Sequence, residues 1–148
     1  MHFSTREKQI FIELLISALV SGYYFYSSYQ LSGWRQIVGP EMGALIVKVI
    51  VIAIVTSIVL YAIFSRATLE DRDERDLEIS AKGNAFGYYS LVVLCCSLVG
   101  LVMFNEGLGL ISDNIQISGP MAMHFVLMAL MISAIVKSAT QLLYYRLS

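Results

Sequence analysis

Four apolar stretches alternate with shorter polar segments along the chain. Crossing about 30 Å of hydrocarbon takes roughly 20 helical residues at about 1.5 Å each, and every stretch meets that length. The first spans about 9–29, from Gln9 through Ile10, Phe11, Ile12 and Leu14 to Tyr29. The second covers about 41–64, the third about 86–104 and the fourth about 120–143. The second and fourth open Gly39-Pro40 and Gly119-Pro120. Proline in a first helical turn loses nothing by lacking an N–H, because that donor has no partner inside the helix. No wider similarity between the two halves supports an internal repeat. The pattern predicts an all-α integral membrane protein, a single membrane domain over 1–148 in which four transmembrane helices form an antiparallel bundle.

The first stretch has a basic start at Arg6 and Lys8, as a secretory signal would. It lacks a small-x-small cleavage pattern and ends in Tyr23, Tyr24, Phe25, Tyr26 and Tyr29, which suit an interface better than a peptidase. It is expected to be retained.

Basic residues set the expected orientation. Arg6 and Lys8 precede the first span, Arg66, Arg72, Arg75 and Lys82 lie between the second and third, and Arg146 follows the fourth. The other two connections offer only Arg35. The positive-inside rule then puts both termini and the central segment in the cytoplasm (N-in, C-in). The acids of the central segment count little in that rule, which weighs Lys and Arg rather than net charge. Aromatic belts agree, with Tyr26, Tyr29 and Trp34 at the outer interface and Tyr61, Tyr88, Tyr89, Tyr144 and Tyr145 at the inner one.

Composition sharpens the picture. The chain is 57% hydrophobic and 14% charged, against about 45–50% and roughly 25% for a soluble domain. One small core could not hide that much apolar surface, so the lipid bilayer is the first expected partner. A formal net charge of −1 gives no basic field to recruit nucleic acid. The two cysteines, Cys95 and Cys96, are adjacent in an apolar run and cannot form an ordinary disulfide with each other. Buried in lipid they act as small apolar residues of low thiolate reactivity.

The central segment, 66–84, is the most polar part of the chain. Thr68 followed by Asp71 makes a capping box, and Gly83-Asn84 makes a helix stop. Between them Asp71–Arg75, Arg72–Asp76 and Glu78–Lys82 stand at helical spacing. The spacing predicts a short charged helix in a cytoplasmic loop, or a continuation of the second or third span beyond the bilayer. It serves either as a solvated, self-paired connector or as a docking surface for a cytoplasmic protein or a second copy. Its acids lack calcium-loop spacing. The run Asp73-Glu74-Arg75-Asp76, with Ile79, Lys82-Gly83 and Tyr88-Tyr89 before an apolar helix, resembles a family of small, uncharacterised bacterial four-span membrane proteins with a DERD-type central loop. The likeness covers about 70–91. It implies a bacterial inner-membrane location and a regulatory protein as neighbour, and carries no activity; on the docking reading of this segment Asp73, Glu74, Arg75, Asp76 and Lys82 are the partner-binding residues.

Three ionisable residues fall within the apolar stretches: Glu13, Lys48 and Lys137. Each would cost roughly 2.5–3.5 kcal/mol at a span's centre, so each calls for a partner or a role. Glu13 and Lys137 belong to oppositely directed helices at matching depth. Glu13, Ser17 and Ser21 repeat at i+4, as do Ala129, Ser133, Lys137 and Gln141. Small and polar stripes mark close helix approach in membranes. The expectation is a seam between the first and fourth spans, matching Glu13 to Lys137, Ser17 to Ser133 and Ser21 to Ala129. Lys48 reaches the outer interface by its long side chain or pairs with Glu41 or Glu106. The functional alternative to structural pairing is a transport or proton pathway.

His124 reads as an interfacial polar residue; with His2 on the opposite side it builds no metal site. Met121, Met123, Met128 and Met131 read as packing residues. No phosphate-binding glycine loop, nucleophile elbow or metalloprotease helix occurs. No cofactor is expected. The sequence therefore points to a non-enzymatic membrane protein acting by partner binding, as a partner subunit or as the membrane component of a regulatory system. The alternative is a small oligomeric transporter or channel using Glu13, Lys48 or Lys137. A homo-oligomer, a dimer in the simplest case, fits either reading.

Overall fold

The computed structural model describes residues 5–32, 40–68, 73–104 and 119–147. They form four helices: α1 (Thr5–Ser32), α2 (Pro40–Thr68), α3 (Glu74–Val102) and α4 (Gly119–Leu147). Each is 28 or 29 residues long, about 42–44 Å at the α-helical rise. All four are long and apolar enough to cross a membrane. Proline stands only where a helix starts, at Pro40 and Pro120, so no interior turn is broken.

The helices overrun the expected spans at nearly every end, most of all in α3, which starts at Glu74 rather than near Phe86. The charged segment is therefore an extension of α3, and little of 66–84 is loop. Gly83-Asn84 does not stop the helix, which passes through both residues. Thr68 closes α2 instead of capping a new helix. The N-cap of α3 is Asp73, whose carbonyl accepts from the N–H groups of Asp76 at 3.0 Å and Leu77 at 3.3 Å. Asp71, Arg72, Trp34, Arg35, Glu106 and the outer connection 105–118 lie outside the described residues.

Neighbours along α4 and its partners run in opposite directions: Glu13 meets Lys137 and Tyr24 meets His124, while Gly87 meets Ser133 and Asp76 meets Tyr145. The close helix pairs are α3 with α4, α1 with α4 and α1 with α2. Among the described residues α2 and α3 do not approach each other. The antiparallel helices thus follow one another in space as α2–α1–α4–α3, an open row among the described residues.

Two packing centres hold the row. One is apolar: Tyr24, Met42, Leu45 and Val49 are buried together, with Val20, Phe25, Ile46, Leu127 and Met131 against them. The other lies between α3 and α4, where Ile79, Gly83 and Gly87 are buried against α4. A Cβ on Gly83 would overlap the Gln141 side chain; one on Gly87 would stand 3.0 Å from Lys137 Cβ and 3.3 Å from the Ser133 carbonyl oxygen. A larger residue at Gly83 would displace the Gln141 side chain, and one at Gly87 would require α4 to give by a few tenths of an ångström. Outside these centres the surface is oily, with Val47, Val51, Ile54, Ile58 and Ile63 of α2 and Val92, Val93, Val99 and Leu101 of α3 all exposed. Patches this continuous are not left to water.

Candidate functional site

Glu13 and Lys137 come together as expected. Lys137 Nζ stands 3.5 Å from Glu13 Oε1, and each side chain is about two-fifths exposed, at 37% for Lys137 and 38% for Glu13. The distance makes a loose ion pair with room for both groups to take further partners. The contact of Tyr24 with His124 further along the same two helices is in keeping with that alignment, but the serines of the two stripes do not hydrogen-bond to each other. Ser133 turns to α3, donating its hydroxyl to the Gly87 carbonyl at 2.7 Å. Ser90 donates to that same carbonyl at 2.8 Å. Ser21 donates back to the Ser17 carbonyl at 2.7 Å instead of across to α4. The stripe Ser133, Lys137, Gln141 thus packs on the α3 glycines, and the long Lys137 side chain also reaches Glu13 on α1.

The Glu13–Ser17–Ser21 stripe has a different neighbour. It lines a groove of about 350 Å³ between α1, α2 and α4. Glu13, Thr56, Ser57 and Ala134 stand toward one end, and Val20, Val49, Ile50, Leu127 and Met131 toward the other. Ser57 donates to the Ala53 carbonyl at 2.8 Å, which satisfies its hydroxyl locally. The groove therefore carries its one charged group, Glu13, at one end, while the other end is mostly hydrocarbon, with the Ser21 hydroxyl there turned onto its own helix.

Among the described residues Lys48 forms no ion pair with Glu41, and Glu106 lies outside them. Lys48 donates to Tyr23 Oη at 3.0 Å, with its ammonium 5.5 Å from the centre of that ring. A phenol on the neighbouring helix reaches Lys48 more directly than a carboxylate two turns along its own helix.

Sequence reasoning missed the pair Tyr24–His124. Tyr24 is completely buried, and its hydroxyl is hydrogen-bonded to His124 Nδ1. The two rings lie 5.5 Å apart. His124 is thus a link between α1 and α4. His124 Nε2 and Ser138 Oγ are buried and find no partner among the described residues. Tyr24 was hidden in a run of four aromatics, Tyr23 to Tyr26, and only a step of two helical turns from Ser17, or of three residues from Ser21, would have set it apart.

The residues assigned to partner binding divide. Asp76 accepts a hydrogen bond from the Tyr145 hydroxyl, tying the start of α3 to the end of α4. Lys82 pairs with Glu78 at 2.7 Å and lies 4.9 Å from the Tyr144 ring centre. Both are engaged within the chain. Asp73, Glu74 and Arg75 are exposed. Among the described residues no three metal-ligating side chains converge. Cys95 and Cys96 are free and exposed on the outer face of α3. Comparison of the chain with protein-family models, curated proteins and solved structures finds no match.

Proposed function

We propose that this chain is a multi-pass protein of a bacterial cytoplasmic membrane, with both termini inside, which works by binding and not by catalysis. Its partner is a cytoplasmic regulatory protein that docks on the first turns of α3. The observation that carries this reading is the rigid continuation of α3 out of its apolar segment. Asp73 and Glu74 sit exposed at the tip of a helix whose next turns are fixed to α4 by Asp76–Tyr145 and by the buried Gly83 and Gly87. A slack connector would lose ordering entropy on docking, whereas a braced helix end presents its charges already in place. Basic residues beside the first, second and fourth spans favour the inward orientation. A partner complementary to this tip would carry a basic patch.

The test is copurification of a cytoplasmic protein with the full chain in detergent. Replacement of Asp73→Asn with Glu74→Gln should abolish it, because neither residue takes part in the α3–α4 contacts. Retention of the partner by that double variant would refute the docking site. Sidedness is checked separately with Asp73→Cys in a chain carrying Cys95→Ala and Cys96→Ala. The new thiol should resist an impermeant reagent added outside intact cells.

A second reading, a small transporter assembled from two or more copies, draws on the groove that ends at Glu13. Flux in proteoliposomes that disappears in Glu13→Gln would favour it over the docking role.

A further inference from the structure

The groove between α1, α2 and α4 is amphipathic along its length. From Glu13 to Ser21 it runs eight residues along α1, about 12 Å, close to half the thickness of a bilayer's hydrocarbon core. One end offers Glu13 with Thr56 and Ser57, and Lys137 stands 3.5 Å behind the carboxylate. The other end is walled by Val20, Val49, Ile50, Leu127 and Met131. A volume of about 350 Å³ falls within the range of sites that hold one elongated small molecule. In a membrane, its polar end would lie near the basic flank of Arg6 and Lys8, five residues or roughly 8 Å from Lys8 to Glu13. Long side chains cover such a distance to the headgroup layer.

Resting on the membrane placement proposed above, we infer that the groove is a site for one lipid of the inner leaflet, with a zwitterionic ammonium–phosphate headgroup. Charge complementarity chooses the headgroup. The ammonium goes to Glu13, the charged residue that lines the groove, and the phosphate turns to Lys137, which stands beside Glu13 outside the lining, so that the loose ion pair opens to receive a dipole of opposite sense. One acyl chain follows the helices along Ile16, Val20 and Ile50. An anionic headgroup would satisfy Lys137 but leave Glu13 facing like charge, and a wholly apolar occupant would leave both ends of the pair unanswered. A neutral groove end would not discriminate in this way.

Native mass spectrometry of the delipidated full chain, titrated with phosphatidylethanolamine or phosphatidylglycerol of identical acyl chains, tests the site. One phosphatidylethanolamine should bind per chain, about tenfold more tightly than phosphatidylglycerol, as expected for one added charge-assisted hydrogen bond. Ala53→Phe, which fills the groove from α2, and Ala134→Phe, which fills it from α4, should each weaken that binding about tenfold or more. Glu13→Gln combined with Lys137→Met should keep a bound lipid but lose the headgroup preference. Equal affinity for the two lipids overturns the inference, as does unchanged phosphatidylethanolamine binding in both phenylalanine variants. A change of oligomeric mass in those variants, with lipid count unaltered, would give the groove to a second copy and overturn it equally. The membrane placement fails on a different result, a chain that stays monodisperse in buffer without detergent, seen before any lipid is added.

Discussion

The two halves of the row are built on opposite principles. On one side α3 meets α4 through glycine, with backbone pressed on side chain and carbonyls taking hydroxyl hydrogen bonds. On the other, α2 meets α1 through Met42, Leu45 and Val49 around Tyr24, with a groove left open beside them. Lipid tails are as apolar as leucine, so in a membrane the hydrophobic effect does not distinguish these interfaces; close packing and interhelical hydrogen bonds do. The α3–α4 side is therefore the fixed half, able to hold a docking surface. The α1–α2 side is the adaptable half, able to admit a guest. Tight and open packing within one short chain divide the work of positioning from the work of binding.

The strongest challenge to that division is Gly83→Leu. The added side chain meets Gln141, which is buried and 5% exposed, so the helices must separate. Overpacking of this kind costs about 3 kcal/mol, at the upper end of its usual range. Thermal unfolding in detergent should show the loss, and Asp73–Glu74 docking should weaken with it. The matching change on the other half, Gly22→Leu, meets nothing nearby and should leave stability unchanged. If both variants behave alike, the distinction between the halves is wrong.

A smaller effect is expected at Glu13. Glu13→Leu alone strands Lys137 in an apolar setting and should cost about 2 kcal/mol, between the values for exposed and for fully buried pairs. The double change with Lys137→Leu should recover most of it, a coupling that a double-mutant cycle in detergent unfolding would read directly. Strictly additive losses would mean that the two side chains act independently.

This pair was legible in the sequence because charge is rare in apolar stretches. Once Glu13 and Lys137 stood out, antiparallel succession of the helices fixed their common depth. The glycines were not legible in the same way. Gly83 beside Asn84 has the form of a helix stop, and the same residue also serves where two backbones must touch. Gly83 and Gly87, four apart on one face, carried the second meaning, but only the neighbour opposite decides between the two. Ser133 misled for a related reason, since an i+4 stripe tells which residues share a helix face without telling which helix that face meets. The open order α2–α1–α4–α3 is a property of all four faces together, and no single stretch encodes it.

Next in size is Tyr145→Phe, which removes the hydrogen bond to Asp76 at the base of α3. The loss should be about 1 kcal/mol, typical of one polar contact. Hydrogen exchange should rise over the first turns of α3 and stay unchanged around Tyr24. A rise at both places would show that the halves are coupled more tightly than their packing implies.

The smallest effect belongs to Lys48, whose partner, alone among the three charges within the apolar stretches, is a phenol. Its ammonium reaches Tyr23 from an exposed position on α2. Exposed pairs of this kind hold little net free energy, because the ammonium that leaves the phenol finds water or headgroups instead. Lys48→Met should therefore leave thermal stability as it is and, if the groove admits a zwitterionic lipid at its Glu13 end, leave lipid preference as it is too. Lys48 lies beyond Val49, toward the groove's apolar limit, so a shift in headgroup selectivity on this change would move the polar end to the wrong side of the molecule. Native mass spectrometry of Lys48→Met beside Glu13→Gln decides between the two ends with one pair of proteins.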